Sequence, residues 1–150
     1  MNESLVMNKN RGNIKKTIDN GDFLQIDNWC NREYSGSDTY DRYQRNLQTQ
    51  PSDWLWRTKR IKYNFNNDGY RCPEWQDIKW EQSVIIFGCS QVYGIGIDEH
   101  DTISYNLSQI LSIPVINLGA PGSSMLHAYY NAIQYHAGDR PAPKAVVNLW

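Results

Sequence analysis

Residues 83 to 88 read Ser-Val-Ile-Ile-Phe-Gly, and this short apolar run constrains the fold more than any other stretch of the chain. A strand that is apolar at consecutive positions has to be covered on both faces, the condition of a parallel sheet with helices above and below it. The sequence that follows keeps to that plan. Asp101 to Leu111 carries Ile103, Leu107, Ile110 and Leu111 on one face of a helix. Pro114 interrupts, and Val115, Ile116 and Leu118 open a second strand. Gly119, Ala120, Pro121 and Gly122 make a tight loop, after which Ser123 or Ser124 is suited to cap a second helix. The apolar face of that helix is Leu126, Tyr129, Tyr130 and Ile133, and Gly138 ends it. Pro141 and Pro143 precede a third strand, Ala145 to Trp150. The order β-α-β-α-β, with right-handed crossovers, predicts a three-layer α/β/α domain with a parallel sheet. Ligands of such sheets bind at the carboxyl ends of the strands, where two loops meet: Gly88 to Gly96 and Gly119 to Ser124.

The chain before residue 80 is polar, aromatic and rich in turn residues. Residues 1 to 53 read as an irregular extension, wrapped on the main domain or partly disordered. Within it, Phe23, Leu24 and Ile26 suit a short strand or a helical turn, and Glu33 to Tyr43 reads as loop. The main domain is expected over 54 to 150. Its first element is a strand over 54 to 65, where Ile61, Tyr63 and Phe65 alternate with polar residues after Trp54 and Trp56. Asn66, Asn67, Asp68 and Gly69 then form a turn, and Pro73 discourages a regular continuation.

A chain of 150 residues suits one domain with a real core. Its charges nearly cancel, at net −1, so no electrostatic drive toward nucleic acid exists. The basic stretch Arg57, Lys59, Arg60 and Lys62 reads as a solvated strand face. Six tryptophans serve core packing first and carbohydrate or partner surfaces second. Cys30, Cys72 and Cys89 form no CxxC pair, which argues against structural zinc and against a disulfide framework, and fits a reducing compartment. The polar N-terminus lacks the apolar stretch of a secretory signal, and no run reaches the length of a membrane span. The expectation is a cytoplasmic or virus-encoded protein with no membrane partner, no metal and no cofactor.

The first rim loop carries the chemistry. In Phe87-Gly88-Cys89-Ser90-Gln91-Val92-Tyr93-Gly94-Ile95-Gly96 a serine lies immediately beyond the buried strand, at the open edge of the sheet. Glycines there let backbone amides approach a ligand and stabilise a developing oxyanion. In the second loop the amide of Gly119, at the end of the neighbouring strand, is placed to face the same site. No Walker loop and no dinucleotide fingerprint is present. Flavin binding, which uses the same sheet topology, is a lesser option.

Gly88-Cys89-Ser90 followed by Tyr93-Gly94-Ile95-Gly96 resembles the first block of the SGNH (GDSL-type) serine hydrolases, and Asn117-Leu118-Gly119-Ala120-Pro121-Gly122 resembles their second. Tyr63 to Arg71, then Pro73-Glu74, is similar to the lead-in found in many members. The likeness spans about residues 60 to 150. It implies a flavodoxin-like sheet and an ester hydrolase or O-acyl (acetyl) transferase, with a carbohydrate, lipid or small-molecule ester as substrate. It further implies Ser90 as nucleophile and the amides of Ser90 and Gly119 as oxyanion hole. Cys89, Gln91, Tyr93, Gly94, Ser123 and His127 are expected to line the site.

The chain departs from the family in two places. Cys89 stands where the family has an aspartate, and no Asp-x-x-His block, which would supply the base, occurs. A serine without a base is a poor nucleophile. The sequence therefore reads as a fragment, as completed by another segment or chain, or as a non-catalytic binding or structural module for a glycan or protein partner. Ser90 also reads as a helix cap, and Cys89 as a packed apolar residue or a rival nucleophile. Among the histidines, His100 sits near the start of the first helix, His127 one helical turn beyond the second loop, and His136 near a helix C-terminus. Asn148 falls inside the third strand and is assigned no role. The apolar third strand is expected at a sheet edge, where it invites a homo-oligomer.

Overall fold

The computed structural model describes residues 21–26, 40–59, 61 and 63–150. Cys30, Arg60, Lys62 and the basic N-terminus lie outside the described residues. Three parallel strands form the sheet: β1 (Val84–Gly88), β2 (Val115–Gly119) and β3 (Ala145–Leu149), in the order β2-β1-β3. Gly88 stands level with Gly119 and with Leu149, so the three strands end together at one rim. The helices are α1 (Tyr40–Thr49), α2 (Ser90–Tyr93), α3 (Ile103–Leu111) and α4 (Met125–Ala137). Among the described residues no helix is long and apolar enough to cross a membrane.

Every residue of β1 is buried, as its apolar run requires. Ile85 and Phe87 join Ala128 and Tyr135 of α4 in one core cluster on one face. On the other, Asn117, level with Ile86, hydrogen-bonds Ser104 of α3. Helices therefore cover both faces of a mixed α/β domain. β3 is an edge strand whose residues are all exposed.

The core on the α4 side is aromatic. Phe23, fully buried, sits among Trp75 (4.7 Å between ring centroids), Trp80 (5.8 Å) and Tyr135 (6.3 Å), with the Arg140 guanidinium 4.5 Å above its ring. Burying such a ring contributes roughly 2–3 kcal/mol. The segment Gly21–Ile26, for which a strand or helical turn is expected, has neither form and lies extended against α4 and Tyr70.

Four expectations are corrected. The described residues of 54 to 65 form no strand: Leu55–Arg57 is a 3-10 turn, and 63–65 is irregular and without a ladder partner. Period-two burial reports a chain covered on one side, and here the cover is Tyr93, against which Tyr63 and Phe65 stack. The described part of the basic stretch is accordingly no strand face: Arg57 donates to Pro51 O at 2.9 Å, and Lys59 pairs with Asp98 at 2.9 Å. Tyr40 to Tyr43, expected as loop, begins α1, which buries only Tyr43 and so leaves little periodic signal. On α3, Ile103 and Leu107 are half-buried while Ile110 and Leu111 face out.

The largest correction concerns α4. Its buried face is His127, Ala128, Asn131, Gln134 and Tyr135, whereas Leu126 and Tyr129 are exposed. Buried polar side chains are tolerated because they are hydrogen-bonded. Asn131 Oδ1 accepts from the Leu24 amide (2.9 Å) and Gln134 Oε1 from the Gly21 amide (3.0 Å). The extended segment has no ladder partner for these amides, so the helix supplies acceptors from side chains.

The Asn66–Gly69 turn is as expected. Asn66 Oδ1 accepts from the amides of Asp68 and Tyr70, and Gly69 has φ +88°. A Cβ at Gly69 would lie 2.4 Å from Ile26 O, so both conformation and space require glycine.

Candidate active site

Ser90 is the first residue of α2, directly beyond β1. It is half-buried, and its hydroxyl makes no hydrogen bond with any described residue. Its carbonyl accepts from the amides of Gly94 (3.0 Å) and Ile95 (3.2 Å). Four residues are too few to hold a helix by their own propagation, so α2 depends on tertiary contacts. Two side chains provide them, and neither is singled out by the sequence reading.

The first is Arg71. Its side chain is fully buried, and Nη1 donates to the carbonyls of Tyr93 (3.3 Å), Gly94 (2.7 Å) and Ile97 (3.2 Å). Nη2 reaches Glu99 at 3.2 Å, and the guanidinium lies 4.8 Å from the Tyr63 ring centroid. A cation belongs at a helix C-terminus, where carbonyls lack partners. Gly94 (φ +81°) and Gly96 (φ +80°) let the chain wrap this cation, and Tyr63 Oη accepts from the Gly96 amide at 2.7 Å. The glycines of the first loop thus turn carbonyls toward an internal guanidinium. That polarity is opposite to an anion cradle.

The second is Asn117. It is buried in β2, donates Nδ2 to Val92 O (2.8 Å) and to Ser104 Oγ (3.2 Å), and accepts from the Gly119 amide on Oδ1 (2.9 Å). Its signal in the sequence is an amide between Ile116 and Leu118 in an otherwise apolar strand. The Gly119 N–H is therefore engaged within the fold. Gly119 instead provides clearance: a Cβ there would lie 2.5 Å from Tyr93 N.

The two rim loops do meet. Gly88 O accepts from the Ala120 amide (2.9 Å) and from Ser123 Oγ (3.4 Å). Ala120 to Ser123 form a hydrogen-bonded turn (3.2 Å) with Gly122 at φ +68°, the position that a Pro-Gly type II turn reserves for glycine. Gly122 is exposed, its amide has no partner among the described residues, and no atom lies within 4 Å of a Cβ built on it.

The remaining candidates separate. Cys89 is a half-buried free thiol preceding α2, and Gln91 is exposed. The Tyr93 ring is buried against Phe65 and Tyr63. Ser124 occupies the cap position of α4 without a side-chain cap bond, while Ser123 reaches back to Gly88. His127 is buried away from the rim, with Nε2 3.0 Å from Tyr70 Oη. Tyr70 donates its proton to Leu24 O (2.6 Å) and receives Asn131 Nδ2 (2.8 Å), which also lies 3.1 Å from His127 Nε2. Nδ1 is buried without a partner among the described residues. Burial lowers the His127 pKa to about 4, so the ring is neutral at physiological pH. His100 packs edge-on against Tyr105, and His136 against Tyr135. No histidine hydrogen-bonds Ser90, and the described residues gather no group of three His, Cys, Asp or Glu suited to a metal. An apolar groove of about 190 Å³, lined by Phe87, Tyr135, Arg140 and Val146 among others, lies on the α4 face and contains none of the rim residues.

The chain matches no protein-family model, no curated protein and no solved structure.

Proposed function

We propose that this chain is an ester hydrolase or O-acyl transferase of the SGNH type, on a flavodoxin-like sheet, with Ser90 as nucleophile. One observation carries the reading: a half-exposed serine with an unengaged hydroxyl heads a one-turn helix beyond the central strand, at the rim where the second loop is tied to Gly88. The Ser90 oxygen would attack an acyl carbon. Its proton would pass to a base and on to the departing alcohol as the C–O bond breaks. Water, or an acceptor hydroxyl, would then release the acyl group from Ser90 by the same steps reversed. The amide of Ser90 is one donor to the tetrahedral oxyanion; that of Gly119, the second expected donor, is held by Asn117 Oδ1 at 2.9 Å. A donor of this kind contributes roughly 3 kcal/mol. The base comes from outside the described residues, since His127 is held in the core. The substrate is an acetylated sugar, a lipid ester or a small ester.

A second reading is a non-catalytic binding module, favoured by the absence of any histidine on the Ser90 hydroxyl among the described residues. Fluorophosphonate labelling separates the two. An adduct mapped to Ser90 by mass spectrometry and lost in Ser90→Ala supports the hydrolase. No adduct, or an adduct that survives Ser90→Ala, supports the module.

A further inference from the structure

We propose that Asn117 is the positioning residue for Ser90. The inference rests on the hydrolase reading above. Asn117 holds the helix that bears the serine and the start of the second loop in one fixed arrangement. Both donors of its carboxamide and one lone pair of its oxygen are engaged, on three different parts of the chain: Val92 O in α2, Ser104 Oγ in α3 and the Gly119 amide at the end of β2. Val92 is two residues from Ser90, and Gly119 opens the loop that carries Gly122. Ser123 Oγ also joins the two rim loops, at 3.4 Å from Gly88 O, but it reaches neither α2 nor α3 in the described contacts.

The physical argument is one of tolerance. Attack geometry has to be held within about 0.5 Å, and a shift of about 1 Å costs on the order of a hundredfold in rate. A one-turn helix cannot supply that precision alone. Arg71 fixes its C-terminal carbonyls, but only to the loop that follows it. Asn117 ties it to the sheet, and the same carboxamide sets the direction of the Gly119 peptide. An aspartate at 117 has the same shape. Ionised, it still accepts from Gly119 but cannot donate to Val92 O, so it removes one half of the tie selectively.

The test is the fluorophosphonate inactivation rate, resolved into kinact and KI, for wild type, Asn117→Asp and Asn131→Ala. Asn131 touches neither rim loop in the described contacts and controls for loss of stability alone. The expected result is a tenfold to hundredfold lower kinact for Asn117→Asp, KI within twofold, and unchanged kinact for Asn131→Ala. A folded Asn117→Asp protein, judged by near-ultraviolet dichroism, with wild-type kinact overturns the inference. So does an equal loss in Asn131→Ala. Should Asn117→Asp not fold, Ser104→Ala removes only one of the three contacts and is expected to lower kinact twofold to threefold; an unchanged value overturns the proposal. A wild-type protein that is not labelled at Ser90 overturns the hydrolase reading and this inference with it, an outcome distinct from labelling that ignores Asn117.

Discussion

The Arg71 guanidinium donates to the Gly94 carbonyl at 2.7 Å, and this contact turns the glycine-rich first loop inward around a buried cation. The same guanidinium meets the Tyr93 and Ile97 carbonyls and Glu99. Loop shape, and the α2 terminus with it, therefore depend on a residue 23 positions earlier in the chain.

Removing that cation leaves three carbonyls without their donor. Arg71→Met is expected to lower unfolding free energy by about 3 kcal/mol. Glu99 is over a third exposed, so Glu99→Gln is expected to cost less than about 1 kcal/mol. Urea denaturation of the two variants checks the contrast. Equal losses would show that the ion pair, rather than the carbonyl contacts, is the stabilising element.

His127 sets a pH dependence. Its folded pKa is about 4 against an ordinary 6.5, so between these values the unfolded chain binds more protons than the native one. Stability is then full above about pH 6.5 and falls as pH drops toward 4, by about 3 kcal/mol in all. The slope of unfolding free energy between pH 7 and 5 should be smaller in His127→Gln, whose amide can still donate to Tyr70. Identical slopes in the two proteins would rule out His127 as the source.

Asn131 and Tyr70 together hold both polar groups of the Leu24 backbone. Asn131→Ala strands the Leu24 amide in the core and is expected to cost about 2 kcal/mol. Opening should be local first. Amide exchange at Leu24 is expected to accelerate at least tenfold more than that of the β1 amides, which speed up only with the global loss of stability. Uniform acceleration across the molecule would contradict a local tie.

Two glycines of the second loop differ in what they tolerate. At Gly119 an added methyl meets the Tyr93 backbone at 2.5 Å and Val92 Cγ1 at 2.9 Å, so Gly119→Ala is expected to cost about 2–3 kcal/mol through overpacking. At Gly122 the space is open and only the positive φ resists, a cost of about 1 kcal/mol. Thermal denaturation should rank Gly119→Ala well below Gly122→Ala. The reverse order would mean that the loop, rather than the α2 contact, is the rigid element.

The strands and helices after residue 80 were legible because each rests on local pattern: an apolar run for β1, proline and glycine punctuation around β2 and α4, and turn chemistry at Asn66 to Gly69. The position of Ser90 at the rim follows from the same pattern. What lay beyond reach was which polar residues are buried. Asn131, His127 and Gln134 look like a solvated helix face until the extended segment Gly21–Ile26 is brought against them, and Asn131 and Leu24 are 107 positions apart. The apolar residues Leu126 and Tyr129 consequently point outward, against the periodicity. Gly119 and Gly94 likewise read as glycines for a ligand, but their surroundings are Tyr93, Asn117 and Arg71. Hydrophobic period is set by neighbours along the chain, so the sequence by itself determined the three strands, the two longer helices after residue 80 and the rim. Satisfaction of a buried polar group depends on partners distant in sequence, so only the tertiary structure decided the polar core, the inverted face of α4 and the direction of the Gly119 amide.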